Sequence, residues 1–350
     1  MPAPNSNLTA SGTQKYHDNF LENTAFTQDT KTFDIKIDQY QGNSDHISGR
    51  LSHTNPITFQ APAFGAVAGG PANGAFQGTG TDSTYSAGIN WDHTFSPTLI
   101  SEARIGLNRY RNVATPSDYG KNSSTQFGIP GVNVSQFTSG ITTLNGTGFS
   151  GPLVGYSASA PWVRAETDID IVNNWTKTKG NHTFKFGGNF IRIRDDLLQE
   201  QTFSPRGAWD FGANQTALNG GPKTGFANNF ASTLLGIPGT VGRDLPVYFP
   251  AYRAWQLFLY GGDKWQVTPK LTLDLGLRWE FYPPATPQFR GGFSNYDGNR
   301  NTLVIAGVGG NPMDLGMIKK YHDFAPRIGV AYRISNKDVI RAGFGISYEP

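Results

Sequence analysis

The sequence predicts an all-β protein, specifically an antiparallel up-and-down transmembrane β-barrel with short periplasmic turns and long extracellular loops. Two observations predict it: long stretches of alternating apolar and polar residues, and connections that are in turn very short and very long. Successive side chains of a strand point to opposite faces, so alternation gives one apolar and one polar face. Long loops are uncommon in compact soluble domains, whereas membrane barrels carry them on the outer side.

Composition agrees with this fold class and narrows the function. The 350 residues include 43 Gly, 22 Pro and no Cys, with 13% aromatic residues, which is typical of strands and turns. Without Cys, disulfide bridges and thiolate zinc sites are excluded. The net charge is +3 without a run of Lys or Arg, which argues against a nucleic-acid partner. Mean hydropathy is −0.40, but a barrel hides its lipid-facing residues in alternation.

The first predicted strands are weak ones at 33–39 and 46–53, followed by a clear hairpin around the turn 96–98. On the apolar parity of this hairpin lie Tyr85, Ala87, Ile89, Trp91, Phe95, Ala103, Ile105 and Leu107. The turn contains Pro97, and proline suits a tight connection because its φ is fixed and it has no N–H to donate.

A second clear hairpin surrounds the turn 179–181. Before the turn the apolar residues are Ile169, Ile171 and Trp175, and after it they are Phe184, Phe186 and Phe190. After Phe190 the alternation changes phase, because Ile191 and Ile193 take the apolar positions. Either a β-bulge or the rim of the membrane would produce this change. A weak strand at 204–212 and a short helix within 228–238 are expected in the following connection.

Two more hairpins complete the pattern, around 268–270 and 335–338. In 271–281 every odd residue is Leu, Trp or Phe, and at about 3.3 Å per residue this strand spans about 36 Å, enough for a tilted crossing of a bilayer. Asp263 interrupts the apolar parity of the strand before it. On the apolar parity of the last hairpin lie Ile328, Val330, Tyr332, Ile340, Ala342, Phe344, Ile346 and Tyr348. The sequence thus predicts roughly 10–12 strands.

Long connections rich in Gly, Pro, Ser, Thr and Asn are predicted at 54–82, 113–163, 213–251 and 283–324. This composition indicates flexibility and does not identify a ligand. Aromatic residues near the predicted strand ends are typical of the two aromatic girdles of a membrane barrel; they are Trp91, Trp175, Trp265, Trp279 and Tyr348.

The stretches LFLYGGDKWQVTPKLTLDLGLRWEFYPP and DFAPRIGVAYRISNKDVIRAGFGISYEP resemble the barrel of TonB-dependent outer-membrane receptors. The resemblance is to the Oar-like group with a carboxypeptidase-regulatory-like N-terminal domain, abundant in Acidobacteria. Further matches are KIDQYQGNSDHISGRLSH, NNWTKTKGNHTFKFGGNF and FASTLLGIP, so that nearly the whole chain is covered. The resemblance implies an exported receptor with a barrel of about 22 strands, an N-terminal plug, and a contact with TonB that couples inner-membrane energy to uptake.

Against that pattern, we expect residues 1–350 to be a partial barrel domain, an internal segment with about half of the strands. No signal peptide, regulatory-like domain, plug or TonB-contact segment is recognised in the sequence. We therefore expect two unpaired strand edges, which lipid does not tolerate, and no closed pore from this chain alone. The function predicted below is that of the parent protein.

The predicted function is an outer-membrane receptor that binds a ligand at its extracellular loops and passes it through the lumen with TonB-coupled energy. Its expected partners are outer-membrane lipid, the TonB complex through the missing N-terminal region, and an unknown ligand, for which peptides, oligosaccharides and metal chelates stay open. Two alternatives are a soluble secreted carbohydrate-binding or adhesive all-β module, and a passive porin or adhesin barrel without TonB. A plug in the full gene would favour the receptor.

The alternation of the strands predicts that four charged residues face the lumen; they are Asp274, Arg278, Glu280 and Arg341. We expect them to contact the plug or one another rather than substrate. We expect no covalent chemistry: Glu166, Asp168 and Asp170 share one strand face and form a conceivable acid/base set, but such residues are ordinary solvated lumen. His46 and His53 are seven residues apart, hence on opposite faces, and neither a metal site nor a cofactor is expected.

Overall fold

The computed structural model describes residues 3–6, 19–65, 77–146, 154–218, 226–245 and 250–349. The strands within them are β1 Phe26–Gln41, β2 Asp45–Gln60, β3 Gly78–Ser96, β4 Leu99–Pro116, β5 Thr143–Asn145, β6 Trp162–Lys179, β7 His182–Leu198, β8 Ala208–Asp210, β9 Thr240–Gly242, β10 Ala251–Gln266, β11 Leu271–Phe281, β12 Thr286–Pro287, β13 Ser294–Asp297, β14 Thr302–Ile305, β15 Asp323–Arg333 and β16 Val339–Gly345. The helices are α1 Ser123–Gln126, α2 Phe226–Leu234 and a 3₁₀ turn at Ala213–Gln215.

Ten of these strands form one antiparallel sheet in chain order, β1-β2-β3-β4-β6-β7-β10-β11-β15-β16, and the short β12 pairs with β10 as an eleventh member. Each long strand is hydrogen-bonded to the previous one along the chain, which confirms the predicted up-and-down meander and strand number. Short turns join the hairpins at one end, and long connections lie at the other end. Within the described residues β1 and β16 do not pair with each other, so the sheet is open.

The long connections run over 61–77, 117–161, 199–250 and 282–322. The first two are shorter than predicted, because the strands continue past the alternating stretches, and the last is nearly as predicted. The third begins earlier than predicted, because residues 204–212 do not form a strand of the main sheet. The weak strand expected at 204–212 is confined to β8, which lies outside the main sheet between β5 and β9. The short helix expected within 228–238 is present as α2, displaced by a few residues.

The strand register keeps the apolar residues on one continuous face. On β11, for example, Leu273 pairs with Val330 and Leu275 with Ile328, which in turn pairs with Phe344. This face has no covering layer among the described residues, and its side chains are open: Leu275 is 40% exposed and Ile328 54%. A soluble sandwich would bury such a face against a second sheet, whereas lipid accepts it uncovered.

Aromatic residues border the apolar face at both ends. At the short-turn end, Phe95 stacks on Trp175 with ring centroids 5.2 Å apart. Asp263, which interrupts the apolar parity there, lies beside His182, with Nδ1 2.6 Å from the carboxylate Oδ2. At the loop end, Trp255 meets Phe281 edge to face at 5.4 Å. Amphipathic rings at two levels are typical of the two interfaces of a membrane.

The phase change after Phe190 is not caused by a β-bulge, so of the two predicted explanations the membrane rim is the one left. β7 pairs with β6 and β10 without any shift of register. Ile191 and Ile193 therefore lie on the polar face, and Arg192 and Arg194 lie on the outward face. Beyond the apolar band the outward face becomes polar while the hydrogen-bonded ladder continues unchanged. None of the helices in the described segments is long and apolar enough to cross a membrane.

Candidate functional site

The polar face of the sheet carries recesses lined by charged and amide side chains. One recess of about 300 Å³ is bordered by Asn90, Asp92, Glu102, Arg104 and Asn174, all of which have the parity opposite to the apolar face. On this face the strands carry small residues where neighbouring backbones approach; a Cβ on Gly262, for instance, would lie 2.9 Å from the carbonyl oxygen of Leu275. The structure thus provides a polar surface on the face opposite the apolar one.

Two of the four predicted lumenal residues, Asp274 and Arg341, line a recess of about 480 Å³ at the short-turn end. Asp274 pairs across the strands with Lys264 on β10 and Gly329 on β15. The small Gly329 leaves room beside Asp274, and Arg341 is two strands away on β16. This recess therefore combines charges of both signs in an open surface.

The other two predicted residues, Arg278 and Glu280, form a direct ion pair near the loop end of β11. Nε of Arg278 donates to Oε1 of Glu280 at 2.8 Å, and the hydroxyl of Tyr282 donates to Oε2 at 2.9 Å. The guanidinium carbon of Arg278 lies 4.5 Å from the centre of the Phe258 ring, within the range of a cation–π contact. The Glu280 side chain is only 8% exposed, so this pair is fixed from three sides.

Sequence reasoning missed Tyr282 and Phe258. Tyr282 follows the last residue of β11 and has the parity of Glu280, so extending the alternation by one position would have found it. Phe258 is an apolar residue on the polar face, next to Glu280 in the register. Alternation along one strand does not show which residue such a side chain contacts. The pairing of β10 with β11 shows that the Phe258 ring lies against Arg278.

The carboxylates Glu166, Asp168 and Asp170 lie on the polar face of β6, as predicted. Arg164 connects them to β7: its Nη2 lies 2.7 Å from Glu166 and 3.1 Å from Asp195. Asp195 was missed because the phase change in β7 hid its inward parity. Arg164 therefore neutralises only part of the negative charge of these carboxylates, and the arrangement gives this face of the sheet a polar, acidic surface.

Two histidines lie on opposite faces, as their spacing predicted. His46 lies on the polar face between Asp38 and Asp92, 3.2 Å from each carboxylate. His53 lies on the outward face and stacks on Tyr85 at 3.9 Å. In the described part of the chain, no three His, Asp or Glu residues are placed to hold a metal ion.

Two long connections fold together at the loop end of the sheet. We call the described residues of 117–146, 154–161, 199–218 and 240–245 the loop cap. β5 from one connection pairs in parallel with β8 from the other, and β9 pairs with β8. The guanidinium of Arg243 joins them again, since Nη2 donates to the carbonyl of Val132 at 2.9 Å and Nε to that of Pro205 at 3.0 Å. These segments therefore share one folded structure, which the composition of each connection alone did not indicate.

The loop cap has a core of its own around Arg206, which is completely buried together with Tyr156 and Phe211. Nη2 of Arg206 donates to the carbonyl of Ser157 at 3.2 Å, and the carbonyl of Arg206 accepts from the Thr142 hydroxyl at 3.0 Å. Burial lowers the pKa of Arg206 to about 10. Nothing in the sequence around this residue distinguishes it from an exposed loop arginine.

Asp118 completes this core. It is buried, and its Oδ2 accepts the backbone N–H of Ile141 at 2.6 Å. Burial raises the pKa of the Asp118 carboxyl, and the charge of Arg206 opposes this change. Gly140 packs against the carboxylate with φ of +95°, and a Cβ there would lie 2.6 Å from Oδ1. Glycine is therefore required for both backbone conformation and space.

A recess of about 370 Å³ opens on the loop cap, bordered by amide and hydroxyl groups that include Asn122, Asn133, Ser135 and Gln136. Asn133 fixes its shape, because its amide nitrogen donates to the carbonyls of Thr138 and Gly140, each at 2.8 Å. These groups offer neutral hydrogen bonds to a polar ligand.

The comparisons with known proteins agree with this architecture. A family model described as an outer membrane beta barrel domain matches residues 1–350. No curated protein sequence matches the chain.

Three solved structures illustrate what the chain is similar to. The ferripyoverdine receptor of the Pseudomonas aeruginosa outer membrane, bound to ferripyoverdine, has a TM-score of 0.51 at 10% identity, covering 91% of this chain and 35% of that one. FpvA of P. aeruginosa bound to a heterologous pyoverdine gives 0.50 at 10% identity, with 91% and 35% coverage. The copper transporter OprC gives 0.46 at 9% identity, with 91% and 36% coverage. The chain thus spans about a third of the length of these structures.

Proposed function

Because the chain belongs to the family of outer membrane beta barrel domains, we propose that it forms part of the wall of a receptor that imports a ligand across the bacterial outer membrane with TonB-coupled energy. The observation that carries the proposal is the loop cap. Two neighbouring long connections fold together there, at one end of the two-faced sheet, into a structure that has its own core and a polar recess. A folded entrance with a polar recess supports capture of a polar ligand before transport.

In this function the recess of the loop cap makes the first contact with the ligand. Its amide and hydroxyl groups suit a polar compound, and they do not distinguish a peptide, an oligosaccharide or a metal chelate. The ferripyoverdine receptor, whose fold is similar, is a receptor for an iron chelate, so a ferric chelate is a reasonable first probe. Assignment to the Oar-like group rests on the sequence resemblance described above.

The four lumenal charges are proposed to act after binding, as contacts for a plug or for one another. Arg278 and Glu280 already satisfy each other, which favours a role in holding the wall. Asp274 and Arg341 border an open recess and are available to a plug domain. No covalent step is proposed, and the energy for release comes from the contact with TonB on the periplasmic side.

Two measurements on the full-length protein test the proposal without knowledge of the ligand. The protein is reconstituted into liposomes, and their swelling in small sugars is recorded together with binding of the purified periplasmic domain of TonB. A plugged receptor leaves the liposomes tight and binds TonB. Rapid swelling without TonB binding would establish a passive porin, and tight liposomes without TonB binding would indicate an adhesin.

A further inference from the structure

Four arginines lie on the outward face of the sheet just beyond its apolar band, Arg109 and Arg111 on β4 and Arg192 and Arg194 on β7. β6 runs between these strands, and Thr167 on β6 pairs with Arg109 on one side and with Arg194 on the other. All four lie near the strand ends from which long connections depart. We call them the arginine patch.

The arginine patch has no carboxylate of its own. On the outward faces of β4, β6 and β7, all of which are described, Asp196 is the one acidic residue. Arg253 on β10 holds that carboxylate, with Nη1 2.6 Å from Oδ1. The patch therefore carries an uncompensated positive charge.

The contacts of the patch are neutral or absent. Arg109 donates to the hydroxyl of Thr167 at 2.5 Å, and Arg192 donates to the carbonyl of Ala254 at 3.4 Å. Arg111 and Arg194 are exposed and have no hydrogen-bond or ion-pair partner among the described residues.

On the inward face, three arginines have a carboxylate oxygen within 2.9 Å, namely Arg50, Arg164 and Arg278. The other inward arginines of the sheet have no ion-pair partner among the described residues; they are Arg104, Arg327, Arg333 and Arg341. On a polar face that meets water, an unpaired guanidinium group is solvated. The arginine patch differs in that its four guanidinium groups lie beside an apolar surface. Because the chain supplies no carboxylate to them there, an anion that neutralises them must come from outside the chain.

The height of the patch identifies where that anion lies. Arg192 pairs with Trp255, and tryptophan is enriched at the level of the lipid headgroups. Arg194 is two residues further from the apolar band, about 7 Å at the usual rise of a strand. The patch thus begins at the aromatic girdle and extends through the headgroup region on the loop side of the membrane.

We infer that the arginine patch binds the phosphate groups of a phosphorylated lipid in the outer leaflet of the membrane. Arg109 and Arg194 are two strand spacings apart, about 10 Å between Cα atoms, and only the short side chain of Thr167 separates them. Two guanidinium groups can therefore approach one phosphate from opposite sides, and the planar guanidinium suits bidentate contacts with phosphate oxygens. This site concerns the lipid around the protein and is independent of the ligand that the receptor carries.

The test measures binding of lipid A, a glycolipid with two phosphates, to the full-length protein purified in a neutral detergent. The test variant replaces Arg109, Arg111 and Arg194 by Gln. At about 1 kcal/mol for each arginine near an anionic lipid surface, its affinity should fall on the order of 100-fold. The matched control replaces Arg104, Arg327 and Arg333 by Gln, three arginines on the inward face, and should bind as the unchanged protein does.

The probes separate phosphate recognition from general affinity for lipid. Dephosphorylated lipid A should bind the unchanged protein as weakly as lipid A binds the test variant. Replacement of the same three arginines by Lys should restore only part of the binding, because lysine keeps the charge but cannot make bidentate contacts with phosphate. If both triple variants behaved alike, or if the phosphates made no difference, the inference would be wrong. Inorganic phosphate serves as a further probe: binding as tight as that of lipid A would indicate a small-anion site and would overturn the assignment to lipid.

Folding of each variant is checked by the shift of its electrophoretic band on heating. If the triple variant does not fold, the single variant Arg111→Gln replaces it, since this side chain is exposed and has no hydrogen-bond or ion-pair partner in the described chain. Its loss should be roughly fivefold. An unchanged affinity in a folded Arg111→Gln variant, together with unchanged affinity in Arg194→Gln, would contradict the inference.

Discussion

At the scale of single residues, the sheet shows how the surroundings of a side chain, more than its type, decide what it does. Glu280 and Asp274 lie on the same face of the same strand. Glu280 is nearly buried and held by Arg278 and Tyr282, whereas Asp274 borders an open recess. Parity predicts the face for both, but the cost of losing each one depends on the neighbouring strands.

We expect Glu280→Ala to reduce the free energy of unfolding by about 1–3 kcal/mol, because it leaves the guanidinium of Arg278 without its acceptor. The double variant Arg278→Ala/Glu280→Ala should cost less than the sum of the single changes, since partners in direct contact are coupled. Urea unfolding of the full-length protein in detergent measures these values. Glu349→Ala, at an exposed carboxylate, is the control; strict additivity would show that the contact contributes nothing.

Asp118 gives the loop cap a pH dependence with a defined sign. Its pKa is raised in the folded cap by burial, so between the unfolded value near 3.8 and the folded value the folded state binds more protons. Stability contributed by protonated Asp118 is therefore present at low pH and lost as the pH rises through the folded pKa. Asp118→Asn should remove this dependence, because the amide stays neutral and its oxygen still accepts the N–H of Ile141.

Hydrogen exchange of the cap amides, corrected for intrinsic rates, measures this effect between pH 4 and pH 7. The control is Asp314→Asn, in a different connection. The Asp314 carboxyl has a lowered pKa because of its hydrogen bond with Lys319, so its contribution has the opposite sign and lies outside the cap. Protection of the cap that rises with pH in the unchanged protein would contradict the prediction for Asp118.

At the scale of elements, β11 carries an apolar residue at every second position from Leu271 to Phe281. The prediction below tests which environment this apolar face requires. The outward face of this strand is uncovered, and lipid penalises a charge there according to depth. Leu275→Arg, near the middle of the strand, should cost about 2–4 kcal/mol of stability. Thr272→Arg adds the same side chain to the lumenal face of the same strand and should cost much less. Equal losses in urea unfolding would mean that the apolar face contacts protein instead of lipid.

The sequence predicts the middle of each strand better than its ends, for a physical reason. Alternation arises because the two faces meet different solvents, and this difference exists only within the membrane. β1 was predicted at 33–39 and extends over Phe26–Gln41. Ile191 and Ile193 show the same limit, because beyond the rim the polarity of the two faces is reversed although the backbone ladder of β7 is regular.

The loop cap could not be predicted because its order comes from contacts between distant segments. Thr142 and Arg206 are 64 positions apart and meet through one hydrogen bond. Glycine, serine and asparagine in these segments suggest flexibility when taken one segment at a time. Their small size instead permits the close packing around Asp118 and Arg206, and no local pattern records which distant residues will fill the space.

At the scale of the whole molecule, the asymmetry of the sheet assigns different tasks to its parts. One face is apolar and uncovered among the described residues, the other is polar, one end has tight turns and the other has the loop cap. The candidate sites follow this division: lumenal charges lie on the polar face, the ligand recess on the cap, and the arginine patch where the outward face leaves the apolar band. Since each site uses a separate surface, variants at one of them should leave the others intact.

The edges of the sheet lead to the last prediction. β1 and β16 each lack a neighbour on one side within the described residues, and all sixteen residues of β1 are exposed. Unpaired backbone groups cost several kcal/mol each in hydrocarbon, so an open sheet is not stable across a bilayer. The 350-residue chain, refolded alone with lipid, should give neither a heat-shifted band nor stepwise conductance in planar bilayers, while an established closed barrel gives both. If the chain did conduct, the mass of the conducting species would show how many chains form it. A mass of two chains would mean that the free edges of one sheet pair with those of another.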